Sequence, residues 1–152
     1  MTKLPLDKDT ILKRINGIQN EISELEKLAK TSFDEFKDGV DFKLAQFHLH
    51  RALEGVFHIS AHILSRIPGG QVSEYKEIAK KIGEFGIVDK NFADVNLQNM
   101  AGYRNRIVHF YADIAPEEIY KILSENLKDF DIFLLGVKKV LDNPSKYNIA
   151  VN

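Results

Sequence analysis

Ile11, Ile15, Ile18, Ile22, Leu25 and Leu28 follow one another in steps of four and three. That interval decides most of what the chain can become. At about 100° per residue the six side chains share one stripe along a helix, whereas on a strand they would scatter over both faces. Asp7, Asp9 or Thr10 is placed to cap its start. Phe42, Ala45, Leu49, Leu53, Val56, Ser60, Ile63 and Ile67 trace a second helical face, separated from the first by a polar break from Thr31 to Asp41 that contains Gly39. Pro68-Gly69-Gly70 ends this second helix; lacking the Gly-Lys-Ser/Thr of a phosphate loop, it reads as a stop signal only.

Further along, Ser73 reads as the N-cap of a shorter helix carrying Tyr75, Ile78, Ala79 and Ile82, which stops between Gly83 and Gly86. Another helix starts between Phe92 and Asn96 and runs through Met100, Tyr103 and Ile107 to Phe110. Pro116 suits the first turn of a last helix, with Glu117 and Glu118 complementing its dipole and Ile119, Ile122, Leu123, Phe130, Phe133, Leu134 and Val137 as its buried face. Asn143-Pro144 stops it. With no alternating β-branched runs and no repeats, the expectation is an all-α, up-and-down bundle of four to five helices forming one domain over residues 1–152.

Composition narrows the function. An apolar content of 44% with 28% charged residues is that of a globular chain able to bury a core. The absence of cysteine removes disulfides and thiolate metal sites and fits a reducing, cytoplasmic setting. Asp7, Lys8 and Asp9 interrupt any N-terminal apolar run, so no signal peptide is expected, and no stretch is long enough to span a bilayer. The net charge of -1 gives no global field for nucleic acid, so such a role needs a local basic site.

One stretch offers that site. Residues 103–111, YRNRIVHFY, gather two arginines, an asparagine, a histidine and two tyrosines within about two turns. On a helix, Met100, Tyr103, Ile107 and Phe110 fall on the core side, Arg104 and Tyr111 lie nearly in line at its edge, and Asn105 and His109 share the opposite side. Asn105 is then placed to fix the tautomer of His109. Arginine presents a fork of donors to phosphate oxygens, and histidine both takes and gives a proton near neutrality. These are the groups that metal-free RNA cleavage requires: a proton taken from the attacking 2′-hydroxyl, a fixed cation for the phosphorane oxygens, and a proton for the leaving 5′-oxygen. One imidazole does not readily serve as base and acid in a single turnover, whereas two chains about a two-fold axis supply two. The same symmetry relieves the roughly 140° that separates Arg104 from His109 around one helix.

Arg104-Asn105 followed by His109-Phe110-Tyr111 resembles the R-x4-H motif, with its H-x-Y extension, of the HEPN superfamily and most closely its HepT-like toxins. FHLHRALEGVFHISAHILSRI in the second helix and ADIAPEEIYKIL after the motif are also similar to that family, so the likeness runs from Ile11 to Phe133. The resemblance implies a dimerising helical domain and an endoribonuclease toxin that uses no metal or other cofactor. RNA, either tRNA or mRNA, would be its substrate, in a type VII-like pair with an MntA-like nucleotidyltransferase antitoxin. By position Arg104 would bind and polarise the phosphate, His109 would act as acid/base, and Asn105 would be its polar neighbour. Tyr111 matches the tyrosine that receives AMP, and adenylates there would repel RNA by charge and bulk. Arg106 and Arg51 are candidate auxiliary phosphate contacts, with a solvated arginine as the alternative for each. Glu54, beside Arg51, is within reach of the motif helix of either chain. The rival function is a non-catalytic helical module that docks a nucleotidyltransferase or a nucleotide. His58 and His62 have a zinc-compatible i, i+4 spacing, but no third ligand accompanies them, so polarity for packing or an interface is expected; His48 and His50 read as structural or exposed.

Overall fold

The computed structural model describes residues 4–151. Its elements are helical: α1 (Lys8–Leu28), α2 (Phe33–Asp38), α3 (Val40–Ser65), α4 (Tyr75–Glu84), α5, α6 (Pro116–Glu125) and α7 (Lys128–Asp142). Helix α5 is one unbroken run made of Lys90–Phe92, a π turn at Ala93–Leu97, and Gln98–His109. The all-α expectation stands, divided more finely than the sequence indicated.

Among the three candidates for the first cap, Asp7 is used: its carboxylate accepts from the Thr10 N–H at 3.1 Å and from the Thr10 hydroxyl at 2.7 Å. Several boundaries differ from expectation, among them the start of α5 at Lys90, ahead of residues 92–96. The polar break contains α2, capped by Ser32, whose hydroxyl accepts from Glu35 N–H at 3.3 Å, and anchored by the fully buried Phe36. Ser73 does not cap α4; Glu74 holds that position without a side-chain hydrogen bond. The last helix is two, because the chain breaks at Asn126 and Leu127 between α6 and α7. The Pro68-Gly69-Gly70 stop is as expected, and Gly69 adopts φ +78°, a conformation that a residue with a Cβ rarely takes.

Core packing fixes where the motif helix lies. Ile11, Ile18, Ile22 and Leu25 of α1 are buried against α3, which contributes Ala45, Leu49, Leu53, Val56 and Ile63. The two helices come close at Gly55, where a Cβ would lie 2.6 Å from Ile18 Cγ1. That contact offsets the roughly 1 kcal/mol a mid-helix glycine costs. Helix α5 packs on α3 and α4 through Leu97, Met100, Ala101 and Ile107. The chain ends close the other side: Leu6, Tyr147 and Ile149 are buried, Pro5 pairs with Ala150 in an isolated parallel bridge, and Arg66 Nε donates to the Pro5 carbonyl at 2.9 Å. Among the described residues no helix is long and apolar enough to cross a membrane.

Candidate active site

Arg104 leaves α5 toward α3 and α4, and both receive it. Its Nε donates to Glu54 Oε1 at 2.5 Å, its guanidinium lies 4.0 Å from the Tyr75 ring centroid, and its Nη1 donates to Asn105 Oδ1 at 3.3 Å. Glu54 collects further partners: it accepts from the Tyr75 hydroxyl at 3.1 Å, and His58 Nε2 stands 3.4 Å away. Burial pushes the Glu54 carboxyl up, but the hydrogen bond and charge of Arg104, with Tyr75 and His58, outweigh it and hold the group below its ordinary value. Burial, and then the charge of Glu54, push the Tyr75 phenol up. The result is a guanidinium pinned on one edge and one face, with its Nη2 donors free of partners among the described residues.

Arg106 is not the solvated arginine of the sequence alternative. It makes a two-pronged pair with Glu118 of α6, Nη1 to Oε2 at 2.6 Å and Nη2 to Oε1 at 3.2 Å, and lies over the Tyr103 ring. The Tyr103 hydroxyl donates to Glu118 Oε2 at 3.0 Å. The Arg106 hydrogen bond leads in drawing the Glu118 carboxyl down to about 2. Burial and then the Glu118 bond raise the Tyr103 phenol. Glu118 also accepts weakly from Ala115 N–H at 3.5 Å, half of a capping box, since Ala115 has no side-chain oxygen to complete it.

The end of the motif departs from a continuing helix. Helix α5 stops at His109, Phe110 turns away with φ -138° and ψ 38°, and Tyr111 begins a 3-10 turn, Tyr111–Asp113. Phe110 therefore faces solvent at 59% exposure, not the core, and Tyr111, at 68%, no longer lines up with Arg104. The reason is local: the helical ladder ends before those two positions, so angles counted along a helix do not apply to them. His109 is exposed and touches the Phe110 ring edge; neither a hydrogen bond nor an ion pair of its imidazole is found among the described residues. Asn105 serves Arg104 and not His109. Within one chain, then, the structure brings Arg104, Asn105, Glu54 and Tyr75 together and leaves His109 and Tyr111 apart from them in solvent.

The other candidates have partners of their own. Arg51 donates from Nε to Glu21 Oε1 at 2.7 Å and stacks over Phe47, while its side chain stays 59% exposed. His48 shares Glu21 at 2.6 Å. His58 Nδ1 takes the Arg14 Nη1 donor at 3.0 Å, and burial, then Arg14, pull its pKa down. His62 accepts from the Asp7 N–H at 3.0 Å, so the pair holds two different groups. Among the described residues no group of three His, Cys, Asp or Glu is placed to hold a metal ion. Glu118 entered the sequence reading only for its charge at a helix start and Tyr75 only for its apolar face. Their roles around the arginines depend on contacts across 12 and 29 positions of sequence, which helical spacing does not reveal.

Chemically, the exposed imidazole is accessible to a bound strand, and the pinned guanidinium keeps donors available for a phosphate without a large entropic cost of fixing it. The chain is 24% identical over 129 residues to a tRNA nuclease HepT of Aphanizomenon flos-aquae, covering 84% of this chain and 87% of the relative. It is 23% identical over 128 residues to an mRNA nuclease HepT of Shewanella oneidensis, covering 80% and 96%. Its fold matches a tri-AMPylated Shewanella oneidensis HEPN toxin solved with its MNT antitoxin, at a TM-score of 0.78 and 22% identity over 86% of this chain and 98% of the other. A toxin–antitoxin structure with AMP-PNP gives a TM-score of 0.77 at 21% identity, over 85% and 98%. A family model described as ribonuclease HepT-like matches residues 18–137, a span that contains every residue of the R-x4-H-x-Y constellation, and the chain belongs to that family.

Proposed function

We propose that the protein is a metal-independent endoribonuclease toxin whose site is completed by a second copy of the chain. The observation that carries the reading is the contrast between Arg104, pinned with free donors, and His109, exposed and without a polar partner, in a motif that needs both. A second copy resolves it. Around the motif, Val40, Leu44, Phe47, Val108 and Phe110 are exposed apolar side chains, the kind of surface that a two-fold contact removes from water. Across such a contact two His109 rings flank one cleft, one taking the 2′-hydroxyl proton and the other protonating the leaving 5′-oxygen. Arg104 stabilises the phosphorane through its open donors, and Asn105, by accepting from Nη1, helps aim it. Arg51 is a further cation for the strand; Arg106, tied to Glu118, holds α5 to α6. The names of the relatives support RNA as substrate.

Tyr111 is the modification site in this reading. Its side chain is exposed two residues after His109, so AMP added by a nucleotidyltransferase antitoxin would bring negative charge close to the motif. The test is RNA cleavage in EDTA by wild type, Arg104→Ala and His109→Ala. Each variant is expected to lose 100-fold or more, on the order of the contribution of an oriented acid/base or oxyanion partner. Undiminished cleavage by either variant would remove its assigned role. One observation favours a non-catalytic docking module instead: Arg104 is already neutralised by Glu54 within its own chain. Under that alternative neither wild type nor variants cleave, and only nucleotidyltransferase binding responds to the motif.

A further inference from the structure

A cavity of about 360 Å³ opens between α3, α5, α6 and α7, a volume within the ordinary range for small-molecule sites. Its apolar wall is formed by Leu49, Leu53, Met100, Ile122 and Phe130. Its polar side is built around Asp129, a carboxylate only 6% exposed, whose Oδ2 accepts from Asn96 Nδ2 at 3.2 Å. A carboxylate offers about four acceptor positions, and Asn96 fills one. Exposed Asn99 and Lys121 add donors at the rim.

Two further observations bear on this cavity. Asn96 belongs to the π turn Ala93–Leu97, a departure from the regular ladder of the kind that gathers at functional sites. In addition, Tyr103 and Glu118 of the cavity wall are hydrogen-bonded to each other, and Glu118 is also held by Arg106 of the motif. The cavity is thereby bordered by the motif helix itself, through Met100 and Tyr103.

We infer that this cavity is a nucleobase subsite and that guanine is the base it takes. The apolar wall suits a ring face. A buried acceptor pair matches the two adjacent donors, N1–H and N2–H, of the guanine Watson–Crick edge, and the rim amide and ammonium meet O6. Adenine, uracil and cytosine do not present two such donors side by side. The inference rests on RNA being the substrate, and it adds which base of the strand the protein selects.

Binding is measured apart from cleavage, with short 2′-deoxy-substituted oligonucleotides differing at one base, and in a second arm with free GMP, AMP, CMP and UMP. Guanine is expected to bind about 10- to 100-fold tighter than the others, as hydrogen bonds to a charged group allow. A preference seen with the mononucleotides marks a site open to free nucleotide, whereas one seen only in oligonucleotides marks a subsite of the strand; both support the subsite. Asp129→Asn should abolish the preference. Asn99→Ala, at an exposed position that leaves the core intact, should weaken guanine binding by about 2- to 10-fold. Equal binding of all four bases in both arms, or a guanine preference untouched by both variants, overturns the inference. Loss of cleavage of the matching all-ribose oligonucleotides with the base preference intact would count against the nuclease and not against the cavity.

Discussion

Replacing Glu118 with glutamine removes the charge that ties the motif helix to α6. The carboxylate accepts two hydrogen bonds from Arg106 and one from Tyr103, and its pKa falls from an ordinary 4.5 to about 2. A depression of that size corresponds to about 3 kcal/mol if nothing screens it. The Arg106 and Glu118 side chains are 39% and 33% exposed, so water and salt reduce the figure, and we expect about 1 kcal/mol. For a carboxyl whose folded pKa is depressed, this stability is fully present above pH 4.5 and disappears as the pH falls toward 2. Urea unfolding of wild type and Glu118→Gln at pH 7, 4.5 and 3 reads the difference directly. At pH 7 the variant should be less stable by about 1 kcal/mol, or about 2–4 °C in Tm for a chain of this size. The gap should narrow at each lower pH. A gap of constant size across the series would show that the loss is packing and not charge, and would refute the argument.

Two other outcomes follow from the site. Glu54→Gln keeps the shape but removes the charge-assisted bond to Arg104, so stability at neutral pH should drop by about 1–3 kcal/mol in urea unfolding, with an accompanying fall in RNA cleavage; unchanged cleavage would separate Glu54 from the positioning of Arg104. Mixing the protein with ATP and its nucleotidyltransferase should give intact masses raised by whole AMP units for wild type and none for Tyr111→Phe, and adducts on the phenylalanine variant would move the modification elsewhere.

The long elements were legible because their apolar positions repeat with helical period: the stripes from Ile11 to Leu28 and from Phe42 to Ile67 become α1 and α3. What stayed hidden had weak local signals. Helix α2 is short and mostly charged, with only Ser32 and Phe36 marking it, and the break before α7 carries neither glycine nor proline. The π turn shifts register without altering composition. At the site the motif residues were readable as chemistry, but not their directions. Arg104 finds Glu54 fifty positions away, an encounter set by how α3 packs on α5. The wheel assigned Phe110 to the core because nothing in the local sequence announces that the helix ends one residue earlier.

Subunit mixing bears most directly on a cleft shared by two copies. Wild type and His109→Ala are unfolded together in equal amounts, refolded so that subunits exchange at random, and assayed on RNA in EDTA. If both imidazoles act in one cleft, only paired wild-type chains cleave, and activity per total chain falls to about a quarter of the all-wild-type value. A value near one half, or His109→Ala cleaving as well as wild type, would contradict the shared site.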